Sequence, residues 1–234
     1  MVPGPAEGLL LIDKPSGVTS HDVVDTCRRA YGERSIGHLG TLDPFATGLL
    51  VLLFGKATRL ATFIEADPKV YEATVLFGTE TDTDDGTGVP TRSGTIPPAD
   101  AIRNALPSLT GEIEQVPPAY SAKHVAGHGG RAYAAARRGH PVDLPASRVV
   151  VYRWDIRALH PGVGEFTVTC GTGTYVRALA RDLGRATGSA AHLTALRRTR
   201  VGPFDVRDSH TLPEVAGSET PPPIRHLRVV ADDA

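Results

Sequence analysis

The chain has 234 residues, of which 41% are hydrophobic and 22% charged, and this composition excludes a disordered or collagen-like protein. With two cysteines, Cys27 and Cys170, we expect neither a disulfide framework nor a four-thiolate zinc site. No stretch approaches the roughly 18 consecutive apolar residues of a membrane span, and the first residues do not resemble a signal peptide. We therefore expect a cytoplasmic protein without a membrane partner.

The net charge of −1 hides an uneven distribution of charge along the chain. Residues 1–122 carry a net charge of −7, residues 123–207 carry +9, and residues 208–234 carry −3. In the basic segment 13 of the 14 cationic residues are arginine, whose planar guanidinium suits phosphate groups and base edges. On charge alone two interpretations are open, a nucleic-acid partner or a basic face in contact with solvent.

The first third of the chain predicts two buried strands, each followed by a helix. Apolar residues 8–12 predict the first strand. Ser20 is placed to cap a helix with apolar residues every three or four positions, and Gly32 is placed to end it. Residues 49–54 predict the second strand, and residues 56–65 have helical periodicity.

The remaining elements show no regular alternation of strands and helices. Residues 78–94, rich in Thr, Asp and Gly, predict a loop, and the residues after His210 predict a tail. Strands are predicted at 70–77, 149–159 and 165–170, and helices at 97–109, 131–138 and 174–186. This order favours an α+β fold, with a mixed, largely antiparallel sheet flanked by helices.

The segment 37–48, with the sequence GHLGTLDPFATG, is the strongest candidate for a functional loop. It holds one imidazole, His38, and one carboxylate, Asp43, among small residues that precede an apolar run. Functional side chains tend to lie on loops that buried elements anchor. The alternative from the residues alone is that Asp43 caps the short turn opened by Pro44.

Together with residues 12–22, IDKPSGVTSHD, this segment resembles the signature of the TruB-type tRNA pseudouridine synthases. Four further motifs follow in the order of that family: Tyr71 with GTETDT at 78–83, PPAYSA at 117–122, CGTGTYVR at 170–177 and HLTALRR at 192–198. The resemblance implies the pseudouridine synthase fold, in which RNA lies across a central cleft, with a catalytic domain over residues 1–210.

The resemblance also implies a reaction and a partner. Enzymes of this family break the N1 glycosidic bond of a uridine at position 55 in the tRNA T loop, turn the base, and rejoin it through C5. The implied partner is the T arm of tRNA, with no guide RNA, no obligate protein partner, no metal and no organic cofactor. A non-catalytic RNA-binding protein is one rival, although it has no need of Asp43. A guide-RNA-dependent relative of the same fold is another.

Three residues match catalytic positions of the family. Asp43 matches its indispensable aspartate, proposed either to attack the nucleotide or to assist proton removal from the sugar. Tyr71 matches the tyrosine that stacks on the target base and is a candidate for moving the C5 proton. Arg177 matches the arginine that pairs with the aspartate, and such a partner keeps a carboxylate ionised in a pocket that would otherwise raise its pKa. The alternative for Arg177 is a surface arginine.

Four residues match substrate-binding positions. His38 matches the histidine that enters the T loop beside the flipped nucleotide. Tyr175 and Leu196 match the walls of the base pocket, and packing in the core is the alternative for both. Lys14 belongs to a Lys-Pro signature and is expected to be structural or to face a phosphate.

The sequence departs from the family pattern in three places. Residues 123–130 form a longer segment than the family turn, with His124 where a lysine is expected. Leu39 replaces a small or hydroxylated residue. Residues 211–234 are too few for the complete C-terminal PUA-like domain that many members have, and we expect a short tail.

Without such a domain, RNA contact is expected to fall on the basic segment 123–207. Arg181 and Arg185 lie on the same predicted helix as Arg177 but match no catalytic position, so they are expected to bind phosphates. Each phosphate contact would add about 0.7 to 0.9 to the slope of affinity against salt on logarithmic axes.

Overall fold

The structure is a computed structural model that describes residues 7–120, 124–125, 130–131, 144–218 and 220–225. The α-helices of these residues are α1 Ser20–Tyr31, α2 Ala99–Ala105, α3 Val176–Ala186 and α4 Leu212–Ala216. The strands are β1 Gly8–Lys14, β2 Ile36–Leu39, β3 Thr47–Phe54, β4 Lys69–Phe77, β5 Thr79–Thr81, β6 Pro90–Ser93, β7 Gly111–Gln115, β8 His124–Val125, β9 Gly130–Arg131, β10 Ser147–His160, β11 Val163–Cys170, β12 Ala191–Val201, β13 Phe204–Asp205 and β14 His210–Thr211. None of the helices described here has both the length and the apolar character needed to cross a membrane.

The described part of residues 1–66 and 197–234 forms one compact unit, and the described part of residues 67–196 forms the other. The first unit is built on β1 and β3, which pair antiparallel along their length. The other edge of β3 pairs with β2 near its end and with Arg197 and Arg198 of β12 at its start. Nearly every side chain of β1 and β3 is buried, which explains their continuous apolar sequence.

Helix α1 covers one face of this sheet. Thr19, and not Ser20, is its N-cap: the Thr19 hydroxyl accepts from the Asp22 backbone N–H, and the Asp22 carboxylate accepts from that of Thr19. Gly32 ends the helix in the left-handed conformation, as predicted. The core cluster of this face consists of Leu10, Ile12, Val23, Val24, Cys27, Ile36, Leu50, Leu52, Phe54 and Val215.

The contribution of Val215 to this core shows that part of the predicted tail is structured. His210 and Thr211 form β14, which pairs in parallel with β1. Helix α4 follows, opened by a capping box between Thr211 and Glu214. The proline-rich composition beyond residue 220 hides this short element, because five helical residues are too few to show a periodicity.

The second unit contains an antiparallel sheet in the order β4, β11, β10, β7. Alternate side chains of β4 are buried, as the sequence predicts for a strand with one face in the core. The turn at Pro161 and Gly162 joins β10 to β11 in the predicted hairpin. The α+β class and the largely antiparallel sheet are therefore confirmed.

Several predicted elements differ in type or length. Residues 55–60 form a 3₁₀ helix in place of the predicted helix over 56–65. The predicted loop 78–94 contains the β5–β6 ladder. Both α2 and α3 begin two residues later than predicted, and α2 passes into a 3₁₀ helix at Leu106–Leu109. The predicted helix 131–138 lies outside the described residues, except Arg131 in β9.

Candidate active site

The candidate residues divide between the two units, with Lys14, His38 and Asp43 in the first and Tyr71, Tyr175, Arg177 and Leu196 in the second. His38 and Asp43 are partly exposed, His38 on β2 and Asp43 in the loop between β2 and β3. Tyr71 lies on β4 and Leu196 on β12, and both are buried. Tyr175 is partly exposed immediately before α3.

The backbone beside Asp43 is held by the first residue of α1. The buried hydroxyl of Ser20 accepts from the Leu42 backbone N–H at 2.9 Å and donates to the Leu42 carbonyl at 3.1 Å. After Asp43, the Ala46 N–H closes a turn on the Asp43 carbonyl at 3.1 Å. The Ser20 side chain therefore binds the loop backbone instead of capping the helix. These hydrogen bonds constrain the backbone that carries the Asp43 carboxylate.

Lys14 is buried under this loop. Its ammonium donates to the carbonyls of Pro15 at 2.9 Å, Val18 at 2.8 Å and Pro44 at 3.2 Å. Burial lowers the pKa of Lys14 to about 8, against the opposing effect of the Asp43 charge. Since all three donors are used and the side chain has no exposed surface, the structure favours the structural role over a phosphate contact.

Arg198 fixes both ends of the loop. Its buried guanidinium donates to the carbonyls of Leu49 at 2.8 Å and Gly40 at 3.0 Å. Gly48 has a φ of +102°, and a Cβ there would lie 2.2 Å from the Arg198 carbonyl oxygen. A glycine is therefore required where β12 approaches β3.

In the second unit, the Arg177 guanidinium is buried at the start of α3. It donates to the carbonyls of Thr83 at 2.8 Å and Tyr120 at 2.9 Å, and it lies 3.6 Å from the Asp85 carboxylate. Asp85 in turn accepts from the Thr87 N–H and hydroxyl. The surface alternative for Arg177 is therefore wrong, and its predicted pairing with Asp43 stays a prediction.

Arg177 is the first of three arginines spaced four residues apart on α3, and each faces an acidic side chain of residues 80–85. We call this set the acid–arginine ladder; its pairs are Arg177–Asp85, Arg181–Asp84 and Arg185–Glu80. Arg181 contacts Asp84 at 2.9 Å and the Val116 carbonyl at 2.8 Å. Arg185 binds both oxygens of Glu80, at 3.0 and 2.7 Å. The buried ion pair of Arg181 argues against the phosphate-binding role predicted for it, whereas Arg185 is half-exposed and its phosphate-binding role stays a prediction.

The pKa values of two acids of the ladder are shifted in opposite directions, because burial outweighs the arginine charges at Asp84 but not at Glu80. Burial raises the pKa of Asp84 to about 6, although the charges of Arg181 and Arg177 oppose this. Burial also acts to raise the pKa of Glu80, but the hydrogen bond and charge of Arg185, together with Arg92, bring it below its ordinary value. Glu80 is therefore ionised at neutral pH.

Sequence reasoning missed the residues that position these side chains, namely Ser20, Arg198, Asp85 and Gln115. Each is polar and buried, and each binds a partner far away in the sequence. The available signals were weak: Ser20 and Arg198 lie in motifs of the resemblance, Asp85 lies two residues after one, and Gln115 lies two residues before a pair of prolines.

Comparison with known proteins gives family matches over most of the chain. Residues 28–176 match the TruB family pseudouridylate synthase (N terminal domain), and residues 177–220 match the tRNA pseudouridylate synthase B C-terminal domain. A protein of Arthrobacter sp. (strain FB24) named tRNA pseudouridine synthase B is 50% identical over 89% of this chain and 70% of its own length. One of the same name from Thermobifida fusca (strain YX) is 47% identical over 94% of this chain and 78% of its own length.

Among solved structures, the chain is similar to one in the crystal structure of a Cbf5-Nop10-Gar1 complex. The two are 28% identical with a TM-score of 0.68, and the match covers 90% of this chain. It covers 54% of the other, so this chain spans about half the length of that relative.

Proposed function

We propose, because the chain belongs to the TruB family of pseudouridylate synthases, that it isomerises the uridine at position 55 of the tRNA T loop without a guide RNA. The reaction breaks the bond between N1 and C1′ and forms a bond between C5 and C1′. The proton on C5 leaves and N1 gains one, so substrate and product have the same atoms. The relatives named tRNA pseudouridine synthase B support tRNA as the substrate.

The observation that carries this proposal is the construction of the Asp43 loop. A partly exposed carboxylate lies on a backbone held by hydrogen bonds from the buried side chains of Lys14, Ser20 and Arg198. Such a fixed geometry favours chemistry on a bound nucleotide, because a catalytic group works best when it is already in position. An RNA-binding protein without catalysis has no need of a positioned carboxylate facing a phosphate-rich ligand.

The roles follow the family resemblance. Asp43 acts on the nucleotide, either as the attacking group or in proton removal from the sugar. Tyr71 stacks on the target base and is the candidate for the C5 proton, while Arg177 supports Asp43. His38 enters the T loop, and Tyr175 and Leu196 form walls of the base pocket.

The proposal is tested with purified protein, an unmodified tRNA transcript and no other addition, followed by mapping of pseudouridine. We expect product at one T-loop position and none in a transcript with cytidine at that position. Asp43→Asn should lose turnover while its affinity for tRNA changes little, because phosphate and stacking contacts supply the binding energy.

Two results would contradict the proposal. Product that appears only with a guide RNA would favour a guide-dependent enzyme, the alternative raised by the likeness to the Cbf5-Nop10-Gar1 complex. Absence of product with well-folded protein would overturn the activity itself, and appreciable turnover by Asp43→Asn would assign the chemistry to another group.

A further inference from the structure

We infer that Gln115 is a positioning residue, whose buried amide orients the backbone of Tyr175 and thereby the start of α3. This inference rests on the proposed function, because its consequence is the placement of Tyr175 and Arg177 for the reaction on uridine. Gln115 is the last residue of β7 and has no exposed surface.

Both polar atoms of the Gln115 side chain bind one residue. The amide oxygen accepts from the Tyr175 backbone N–H at 2.8 Å, and the amide nitrogen donates to the Tyr175 carbonyl at 3.2 Å. The side chain therefore pairs with Tyr175 as a neighbouring strand would, with one donor and one acceptor. The two bonds are made to the two peptide groups that flank the Tyr175 Cα, so together they constrain the backbone orientation of Tyr175 more than either bond alone.

Helix α3 depends on this contact because of its own N-terminal sequence. Its N-cap residue is Tyr175, in an extended conformation with φ −99° and ψ 109°, where Ser, Thr, Asp or Asn would be preferred. The Tyr175 carbonyl also accepts from the Leu179 N–H at 3.1 Å, at the beginning of the helix. Gln115 thus acts on the peptide group at which α3 starts.

The segment after Gln115 accepts further hydrogen bonds from side chains of α3. The Val116 carbonyl accepts from Arg181 at 2.8 Å, and the Tyr120 carbonyl accepts from Arg177 at 2.9 Å. A change in the position of Gln115 would therefore move Tyr175 together with an acceptor of Arg177. A misplacement of about 1 Å can lower a catalytic rate about 100-fold.

Packing alone would not require glutamine at this position. Methionine has a similar length and would fill the same space, but it would leave the Tyr175 N–H without its acceptor. A buried backbone N–H without a partner is unfavourable, so the local backbone would rotate towards another acceptor. The amide is needed because its donor and its acceptor orient the Tyr175 backbone. This requirement distinguishes a positioning role from a role in filling the core.

The test uses Gln115→Glu in the full chain. When ionised, the new carboxylate accepts from the Tyr175 N–H but repels the Tyr175 carbonyl, whereas the protonated acid can donate to that carbonyl. Near pH 8 we expect a single-turnover rate at saturating tRNA about 10- to 100-fold below that of the unsubstituted protein. Towards pH 6 the deficit should shrink, because burial raises the pKa of the introduced acid. The Kd for tRNA should change less than about threefold, since phosphate contacts carry the affinity.

Two variants serve as controls. Glu112→Gln makes the reverse exchange at an exposed position of β7 and should leave the single-turnover rate unchanged at both pH values. Gln115→Met removes both polar atoms, so its deficit should not recover at lower pH.

A second measurement covers the case in which the acid variant fails to fold. Gln115→Asn keeps both polar atoms on a side chain one methylene shorter, and its Tyr175 amide hydrogen should exchange faster with solvent. An unchanged rate and unchanged exchange in folded variants, or a Gln115→Glu deficit confined to the Kd or independent of pH, would overturn the inference. Absence of activity in the unsubstituted protein would instead overturn the proposed function, while the exchange at Tyr175 would still test the contact.

Discussion

Asp43 and Arg177 are held by different kinds of neighbours. Lys14 and Ser20 hold the backbone of the Asp43 loop. Their partners Pro44 and Leu42 lie 30 and 22 positions away in the chain, within the same signature. Arg177 binds the Thr83 carbonyl across 94 positions and the Tyr120 carbonyl across 57. Because a guanidinium carries its donors in a rigid plane, Arg177 holds these two carbonyls in a fixed relative geometry that the single ammonium of a lysine would not reproduce.

Replacement of Arg177 tests its predicted pairing with Asp43. Arg177→Ala should lower the single-turnover rate at saturating tRNA by about 100-fold or more, because it removes the cation predicted to keep Asp43 ionised. Arg177→Lys retains the charge but cannot hold the Thr83 and Tyr120 carbonyls together, so an intermediate rate is expected. If either folded variant raises only the Kd for tRNA and leaves the chemical step unchanged, Arg177 is a phosphate contact.

At the scale of elements, α3 shows how a helix with most of its residues buried accommodates charged side chains. Arg177 and Arg181 are buried among the apolar residues of α3, and each is paired with an acid of residues 84–85. Buried arginine without such a partner would be strongly unfavourable. The ladder therefore ties α3 to residues 80–85 through a set of contacts that depend on charge.

The ladder predicts a dependence of stability on pH through Glu80. Because the pKa of Glu80 is lower in the folded state, the unfolded state binds its proton first, and this contribution to stability is lost as pH falls below the ordinary Glu range. Glu80→Gln should lower the free energy of unfolding by about 1.5 to 3 kcal/mol near pH 7, towards the lower value because Arg185 is half-exposed. The difference from the unsubstituted protein should shrink on acidification.

Urea denaturation at several pH values between about 7 and 3 measures this difference, because the loss begins only below the ordinary Glu range. Glu112→Gln is the control, since it removes an exposed acid of β7 and should track the unsubstituted protein at every pH. A difference for Glu80→Gln that stays constant with pH would show that Glu80 contributes through packing and not through its charge.

At the scale of the whole molecule, the acidic and basic segments of the sequence pair with each other. Among the described residues, ion pairs that join residues 1–122 to residues 123–207 include Arg157–Glu72, Arg177–Asp85, Arg181–Asp84, Arg185–Glu80 and Arg197–Asp13. The excess of arginine in the second segment is therefore used in part to hold the fold. The number of cationic residues in segment 123–207 is therefore larger than the number whose charge is available to bind RNA.

Arg181 tests this account of the charge distribution. Arg181→Gln should lower the free energy of unfolding by about 3 to 5 kcal/mol, because it breaks a buried ion pair. It should leave the salt dependence of tRNA binding unchanged, since its guanidinium contacts Asp84 and the Val116 carbonyl instead of phosphate. Binding is measured at several salt concentrations below the unfolding temperature of the variant. A slope that flattens by about 0.7 to 0.9 would restore Arg181 to the phosphate contacts.

The sequence by itself determined the elements whose signal is local. The apolar runs of β1 and β3, the periodicity of α1 with Gly32 at its end, and the hairpin of β10 and β11 all follow from residues adjacent in the chain. The motifs that carry the family resemblance, Asp43 among them, are likewise short and contiguous, so they could be recognised without a structure.

Tertiary structure alone decided the roles of residues whose partners are distant. Gln115 binds Tyr175 across 60 positions, Arg198 binds the Leu49 carbonyl across 149, and Val215 joins a core built by α1 and β3. Strand β12 was missed because its arginines interrupt the apolar alternation, and their buried partners become visible only in the fold. The physical reason is common to all of these: periodicity reports which face of an element is apolar, whereas a buried polar group is tolerated only by partners that folding brings to it.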